Sequence, residues 1–295
     1  MSEASSMAKG LDKMAQTIET RFPSARQSGP SPDPSMTPDS ILYSEDEEEI
    51  KRQKDQEMVR MAQRSGGMAA LLNLFKGQSK DDIAKARIDS TMSHVNEAHK
   101  SLDDYGHYVS IYNRKASAHL DLAKDTPGGQ ILERLAVKPG PDRNAAIAAL
   151  ADPAQAARLG LSPDDLDTVR EHVAKVGATP DVVNARRGME LSSASYAASM
   201  SALTNDMDGI ASKYADDPQT MSAFNRARTG IEDSMRNRIE ALDMQPVKLD
   251  GEKSGGPLAA FGEAFENFAK NMEETMRNIA EAMGRLGSTM FGQRQ

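Results

Sequence analysis

Apolar positions recur every seven residues from Ile88 onward. Ile88, Val95, Leu102, Val109, Ala116 and Ala123 form one row, and Thr91, Ala98, Tyr105, Tyr112 and His119 follow three places after the first five. The stretch holds no Pro and one Gly, Gly106. A seam of this kind predicts one long helix over residues 80–125, roughly 65 Å in length and in coiled-coil-like contact with neighbours. A second row (Val182, Met189, Tyr196, Leu203, Ile210) starts after Thr179-Pro180-Asp181, with Thr as N-cap and Pro in the first turn. Arg186, Ser193, Met200, Met207 and Tyr214 lie four residues on from each, and Ala194, Ala198 and Ala202 make a small-residue stripe suited to close helix approach. Asp217-Pro218 opens a third helix with Met221, Phe224, Ile231, Met235, Ile239 and Leu242 on one face. The short gap between the second and third helices, within 180–243, makes them antiparallel neighbours. The expected fold is therefore all-α, a long antiparallel coiled-coil-like three-helix bundle.

Residues 126–179 have another texture. Pro127, Pro139, Pro141, Pro153 and Pro163 punctuate short Ala-rich runs, and Ser162-Pro163-Asp164-Asp165 is a cap-plus-Pro helix start. Gly160 and Gly177 read as stops. A small helical insertion is predicted, with helices near 142–151, 153–158 and 163–176. At the other end, Lys9 and Lys13 belong to a mixed polar helix, and residues 1–43 as a whole read as a mostly disordered N-terminal region, because Pro and Ser crowd residues 22–40. Residues 44–77 read as a charged helix, opened by the capping box of Ser44 and Glu47, and a short apolar helix.

Residues 244–257 are a flexible linker by composition. Beyond it, Leu258, Phe261, Phe265, Phe268, Met272, Met276, Ile279, Met283, Leu286 and Met290 alternate by three and four. They make an apolar stripe along a separate amphipathic C-terminal helix, 258–291. Such a stripe has to be covered by something. Four covers were weighed: the chain's own bundle, a second copy, a groove on another protein, and a membrane surface. The polar face carries Glu263, Glu266, Glu273, Glu274 and Glu281 against Lys270, Arg277 and Arg285, which disfavours anionic lipid. Met side chains adapt to irregular grooves, so the pattern favours a protein partner or homo-oligomer bound through Leu258, Phe261, Phe265, Phe268, Met272, Met276, Ile279, Met283 and Leu286.

Composition narrows the chemistry. With Cys 0 in the chain there is no disulfide scaffold, thiolate metal site or cysteine nucleophile. A net charge of −8 argues against non-specific nucleic-acid binding. No run of apolar residues is long enough to span a bilayer, and no secretory signal is recognised, so a cytoplasmic location is expected, with export by a dedicated secretion system kept open. His99, Asp103 and His107 share one line of the first long helix but fall on its predicted solvent side, so no metal is assigned. Asp125-Thr126-Pro127-Gly128 resembles a GTPase element, yet no phosphate-binding loop accompanies it, and it reads as a helix end and turn. Arg226, Arg228, Arg236 and Arg238 interleave with Glu232, Asp233 and Glu240, which suits pairing along the helix. No catalytic residue and no cofactor is assigned.

The layout (polar N-terminus, helical hairpin with an insert, amphipathic C-terminal helix) is similar to that of bacterial secretion-system substrates such as injectisome tip or translocator proteins. The likeness implies architecture alone. The expected function is a non-enzymatic helical interaction protein: a scaffold, adaptor or secreted effector. Two alternatives stand beside it. One is a nucleic-acid accessory protein using the Arg-rich third helix, and the other an enzyme or nucleotide binder with a pocket between insertion and bundle.

Overall fold

A computed structural model describes residues 2–22, 80–136, 147, 153–242, 246–247, 249 and 257–292. Its helices are α1 (Glu3–Arg21), α2 (Lys80–Leu122), α3 (Pro127–Ala136), α4 (Pro153–Arg158), α5 (Pro163–Gly177), α6 (Pro180–Lys213), α7 (Pro218–Glu240) and α8 (Pro257–Gly292). Among the described residues all regular structure is helical, so the fold is all-α. The charged and short apolar helices expected over 44–77 lie outside the described residues, as does most of the helix expected near 142–151.

The chain divides into two compact units. Unit 1 comprises Met1–Ser93, Asn205–Asn237 and Met272–Gln295, and unit 2 comprises His94–Thr204 and Arg238–Asn271. In unit 2 the predicted seam forms the core: Val95, Ala98, Leu102, Tyr105, Val109, Tyr112 and Ala116 are all buried. On α6 the facing row Val182, Met189, Tyr196 and Leu203 is buried with Met200. The two helices run antiparallel there. Tyr108 packs where Gly188 lacks a side chain, and Lys115, one heptad on, meets Asp181, one heptad back, at 3.7 Å. A Cβ at Gly188 would lie 2.4 Å from the Tyr108 ring, so this crossing requires glycine. By contrast Ala194 and Ala198 are exposed. The predicted approach along the Ala194, Ala198, Ala202 stripe is thus corrected: close contact occurs about 100° round the helix, where Gly188, Ser192 and Ser199 lie.

α3 and α5 pack together as the insertion. Ser162 caps α5, as the cap-plus-Pro start predicts, and it also forms a capping box with Asp165. Gly160, with φ of 80°, makes the turn after α4 in a conformation that favours glycine. The helix α3 was not foreseen, since Asp125 to Gly128 read only as a turn. Thr126 opens it, accepting a hydrogen bond from the Gly129 backbone at 3.2 Å, and lies 3.1 Å from His172 Nδ1 on α5. A Cβ at Gly128 would stand 2.4 Å from His172 Cβ, so the glycine lets α3 press against α5. Thr179 does not cap α6 with its side chain. Its hydroxyl donates to the Val176 carbonyl at 2.7 Å, and Asp181 accepts from the Val182 backbone.

In unit 1, α2 and α6 are again antiparallel: Arg87 donates to the Gly209 carbonyl, and Ser90, three residues on, donates to Asp206 at 2.8 Å. Within residues 1–43, the mixed polar helix expected near Lys9 and Lys13 is Glu3–Arg21, capped by Ser2. Its Met7, Ala8, Leu11, Met14, Ala15 and Ile18 are buried, a spacing of three and four that folds onto one helical face.

Candidate functional site

The apolar stripe of α8 is the strongest candidate site in the sequence, and most of its described residues have a cover. Phe261, Phe268 and Met272 are buried, and Phe265, Met276 and Ile279 are half-buried. The side chains of Leu258, Met283 and Leu286 lie outside the described residues. Of the four possible covers, the chain's own helices lie against the stripe at Phe261.

The anchor is an aromatic box in unit 2. The Phe261 ring lies 4.8 Å from that of Tyr105 on α2 and 4.9 Å from that of Tyr196 on α6, centroid to centroid and edge-on or tilted. Both tyrosines are fully buried, and neither hydroxyl has a hydrogen-bond partner among the described residues. Ser199, one turn beyond Tyr196, buries its hydroxyl unpaired as well. Burial pushes the Tyr105 phenol up to about 12 and that of Tyr196 further in the same direction, so both stay neutral protonated groups. In unit 1 the polar tie of α8 is different: the Thr275 hydroxyl donates to Asp208 on α6 at 2.7 Å. The heptad pattern places Tyr105 and Tyr196 in the seam as apolar rings and gives no place to their hydroxyls. The signal was present, because a heptad seam seldom needs two phenols at one level.

Other candidates resolve differently. His99 was placed on the solvent side of α2 and is in fact buried, because α2 buries positions beside the seam as well, including Ser101, Tyr108 and Leu120. Burial, with the Arg238 guanidinium nearby, holds its imidazole down to about 4, so it is neutral at pH 7. Asp103 accepts from Nε of the same Arg238 at 2.8 Å, and His107 is exposed. No group of three metal-ligating side chains gathers among the described residues.

Each arginine of the basic stretch faces a carboxylate: Arg226 with Asp12, Arg228 with Glu232, Arg236 with Asp233, and Arg238 with Asp103. On the insertion side, a shallow cleft of about 710 Å³ is lined by Lys124, Asp125, Pro127, Gln130, Ile131, Glu133 and Arg134. It mixes both charge signs and brings no nucleophile onto a base. Among the described residues no helix is long and apolar enough to cross a membrane. Compared with protein-family models, with curated proteins and with solved structures, the chain matches none.

Proposed function

We propose that this chain is a non-enzymatic helical interaction protein, a scaffold, adaptor or secreted effector, whose C-terminal helix α8 exchanges cover. In the free chain α8 lies on its own helices; in the engaged state it presents Phe261, Phe265, Phe268, Met272, Met276 and Ile279 to a protein partner or a second copy. In this reading α2, α6 and α7 act as a three-helix coiled-coil-like bundle that holds the shape, with α3–α5 as its insertion. The protein requires neither cofactor nor nucleic acid for this role.

One observation carries the reading: Phe261 is seated between two buried phenols without partners. Burying a Phe side chain contributes about 1.5–3 kcal/mol, and each aromatic contact adds about 0.5–1.5 kcal/mol. Each orphaned hydroxyl costs about 1–3 kcal/mol. Gain and cost are of the same size, so the anchor is held close to balance, and release returns both hydroxyls to water. A helix meant only to complete a core would be expected to pair or omit those groups.

The absence of cysteine allows a clean test. An Asp208→Cys, Thr275→Cys chain carries a single pair of thiols, which a short thiol-specific cross-linker joins to fix α8 on α6. Light scattering on size-exclusion fractions and retention of proteins by the immobilised full chain are then compared with and without the link. The reading expects self-association or partner retention in the open chain and its loss in the linked one. Identical behaviour of the two forms overturns it.

A further inference from the structure

Unit 1 contains a second docked helix, and its contacts follow a different logic. α1 packs in unit 1 with Met7, Leu11, Met14 and Ile18 buried, Ile18 against Gly230 of α7, and with polar ties along its edge. Glu3 accepts from Lys213 and, at 2.7 Å, from the Tyr214 hydroxyl. The Ala4 carbonyl accepts from Thr220 Oγ1 at 3.0 Å. Nine residues after Glu3, Asp12 accepts from Arg226 through Nε at 3.0 Å and Nη2 at 2.6 Å. Steric fit adds to this. Gly10 lets Ile88 of α2 approach to 2.8 Å of where a Cβ would stand, and Gly230 of α7 faces Ile18. Carboxylates on the helix therefore meet cations on the receiving surface at two points, Glu3 and Asp12, alongside the apolar stripe. This is the pattern by which a groove recognises an amphipathic helix as a separate ligand.

Residues 23–79 separate α1 from the next described helix, α2, so no short loop dictates which groove α1 enters. The contacts of Glu3, Ala4 and Asp12 are ones that α1 of another copy would reproduce. We infer that unit 1 is a helix-binding groove, and that its occupant is exchangeable: α1 of one copy can dock in the groove of a second, joining two chains by reciprocal helix exchange. This inference rests on unit 1 contacts of α1 and stands independently of the role given to α8.

The test uses two full-length variants with complementary charge reversals. One carries Glu3→Lys and Asp12→Arg, so that its helix is repelled by its own groove. The other carries Lys213→Glu and Arg226→Asp, so that its groove repels its own helix. Mixing them restores opposite charges only between copies, whichever helix is considered. Light scattering is expected to give separate monomers for each variant alone and a heterodimer for the mixture. A fluorescent peptide of residues 2–22 is expected to bind the first variant, whose groove is native but vacated, at least tenfold more tightly than the wild-type chain, where the tethered helix competes. Peptide binding without a heterodimer would show a helix groove that a second copy does not use, and would overturn the exchange. Absence of both would overturn the groove as well.

Discussion

α1 meets unit 1 along a rim in which Glu3, Ala4 and Asp12 all have partners, whereas α8 enters unit 2 by a ring whose two neighbours keep their hydroxyls unpaired. The first contact is polar at its edge and saturated. The second is dry and leaves polar groups unpaid. The difference teaches that burial alone does not say how firmly a helix is held. Leu11 and Phe261 are both fully buried, yet what surrounds them sets opposite balances. Truncation is the largest perturbation of both, and it brings the bigger ring down to the cost of the smaller side chain. Leu11→Ala is expected to cost about 3 kcal/mol, within the usual range for a buried leucine. Phe261→Ala should cost about 3 kcal/mol too, at the bottom of the range for phenylalanine, because water then reaches the hydroxyls of Tyr105 and Tyr196. Urea unfolding of the two variants measures this directly, and a Phe261 cost near 5 kcal/mol would show that the phenols gain nothing from its removal.

Acid separates the regions next. His99 has its folded-state value lowered from 6.5 to about 4, so between these values the unfolded chain binds the proton and the folded chain does not. Stability from this site is fully present above pH 6.5 and is lost as pH falls toward 4. By pH 5 the loss amounts to about 2 kcal/mol, on the scale of 1.36 kcal/mol per pKa unit. Glu3 behaves otherwise. Its hydrogen bond from Lys213, the largest influence, lowers its carboxyl below 4.5, so the α1 contact is weakened only below that value. Denaturation midpoints at pH 7 and pH 5 should therefore fall in the wild type and change much less in His99→Gln. Proteolytic release of α1 should not begin until the pH is below 4.5. Release of α1 at pH 5 would contradict the assignment.

Smaller still is the effect of removing the phenolic oxygens one at a time. Tyr105→Phe and Tyr196→Phe keep the rings against Phe261 and delete only the unpaired groups. Each is expected to stabilise the chain by about 1 kcal/mol, read as a rise in the urea midpoint at constant slope. Destabilisation by either would mean that its hydroxyl has a partner in solution, and the near-balance at α8 would no longer hold.

Much of this arrangement can be read from the residue pattern, and the failures have identifiable causes. The rows from Val95 to Ala116 and from Val182 to Ile210 predict the buried faces of α2 and α6 correctly, because seven-residue spacing places them on one side of a helix whatever the partner. The pattern fails where a single small residue decides. Ala194, Ala198 and Ala202 look like a close-approach stripe, but Gly188 is the residue that admits Tyr108, and one glycine leaves no periodic trace. α3 was missed because Pro127-Gly128-Gly129 has poor intrinsic helix preference, which contact with His172 overrides. For α1 the residues predict a mixed polar helix but not the burial of its Met7, Leu11, Met14 and Ile18 stripe, because the spacing does not name what covers it. The α8 stripe was fully legible as apolar. That it would meet phenols could not be read from its own sequence, since the cost lies on α2 and α6.

The smallest expected effect lies at the rim of α1. Arg226 and Asp12 are both about half exposed, so their charges are screened and their side chains are costly to order. Arg226→Ala should lower global stability by only about 0.5 kcal/mol, within the range of exposed ion pairs. Its effect on where α1 goes should be larger relative to that cost, because a rim charge governs encounter and register more than total affinity. The expected signature is a nearly unchanged urea midpoint together with faster cleavage by trypsin at Lys9 and Lys13, both blunted in high salt, where the wild type already lacks most of the pair. An equally rapid cleavage of the wild type at low salt would place the hold on α1 in the Met7–Ile18 stripe alone, and the contrast with α8 would then reduce to the two hydroxyls beside Phe261.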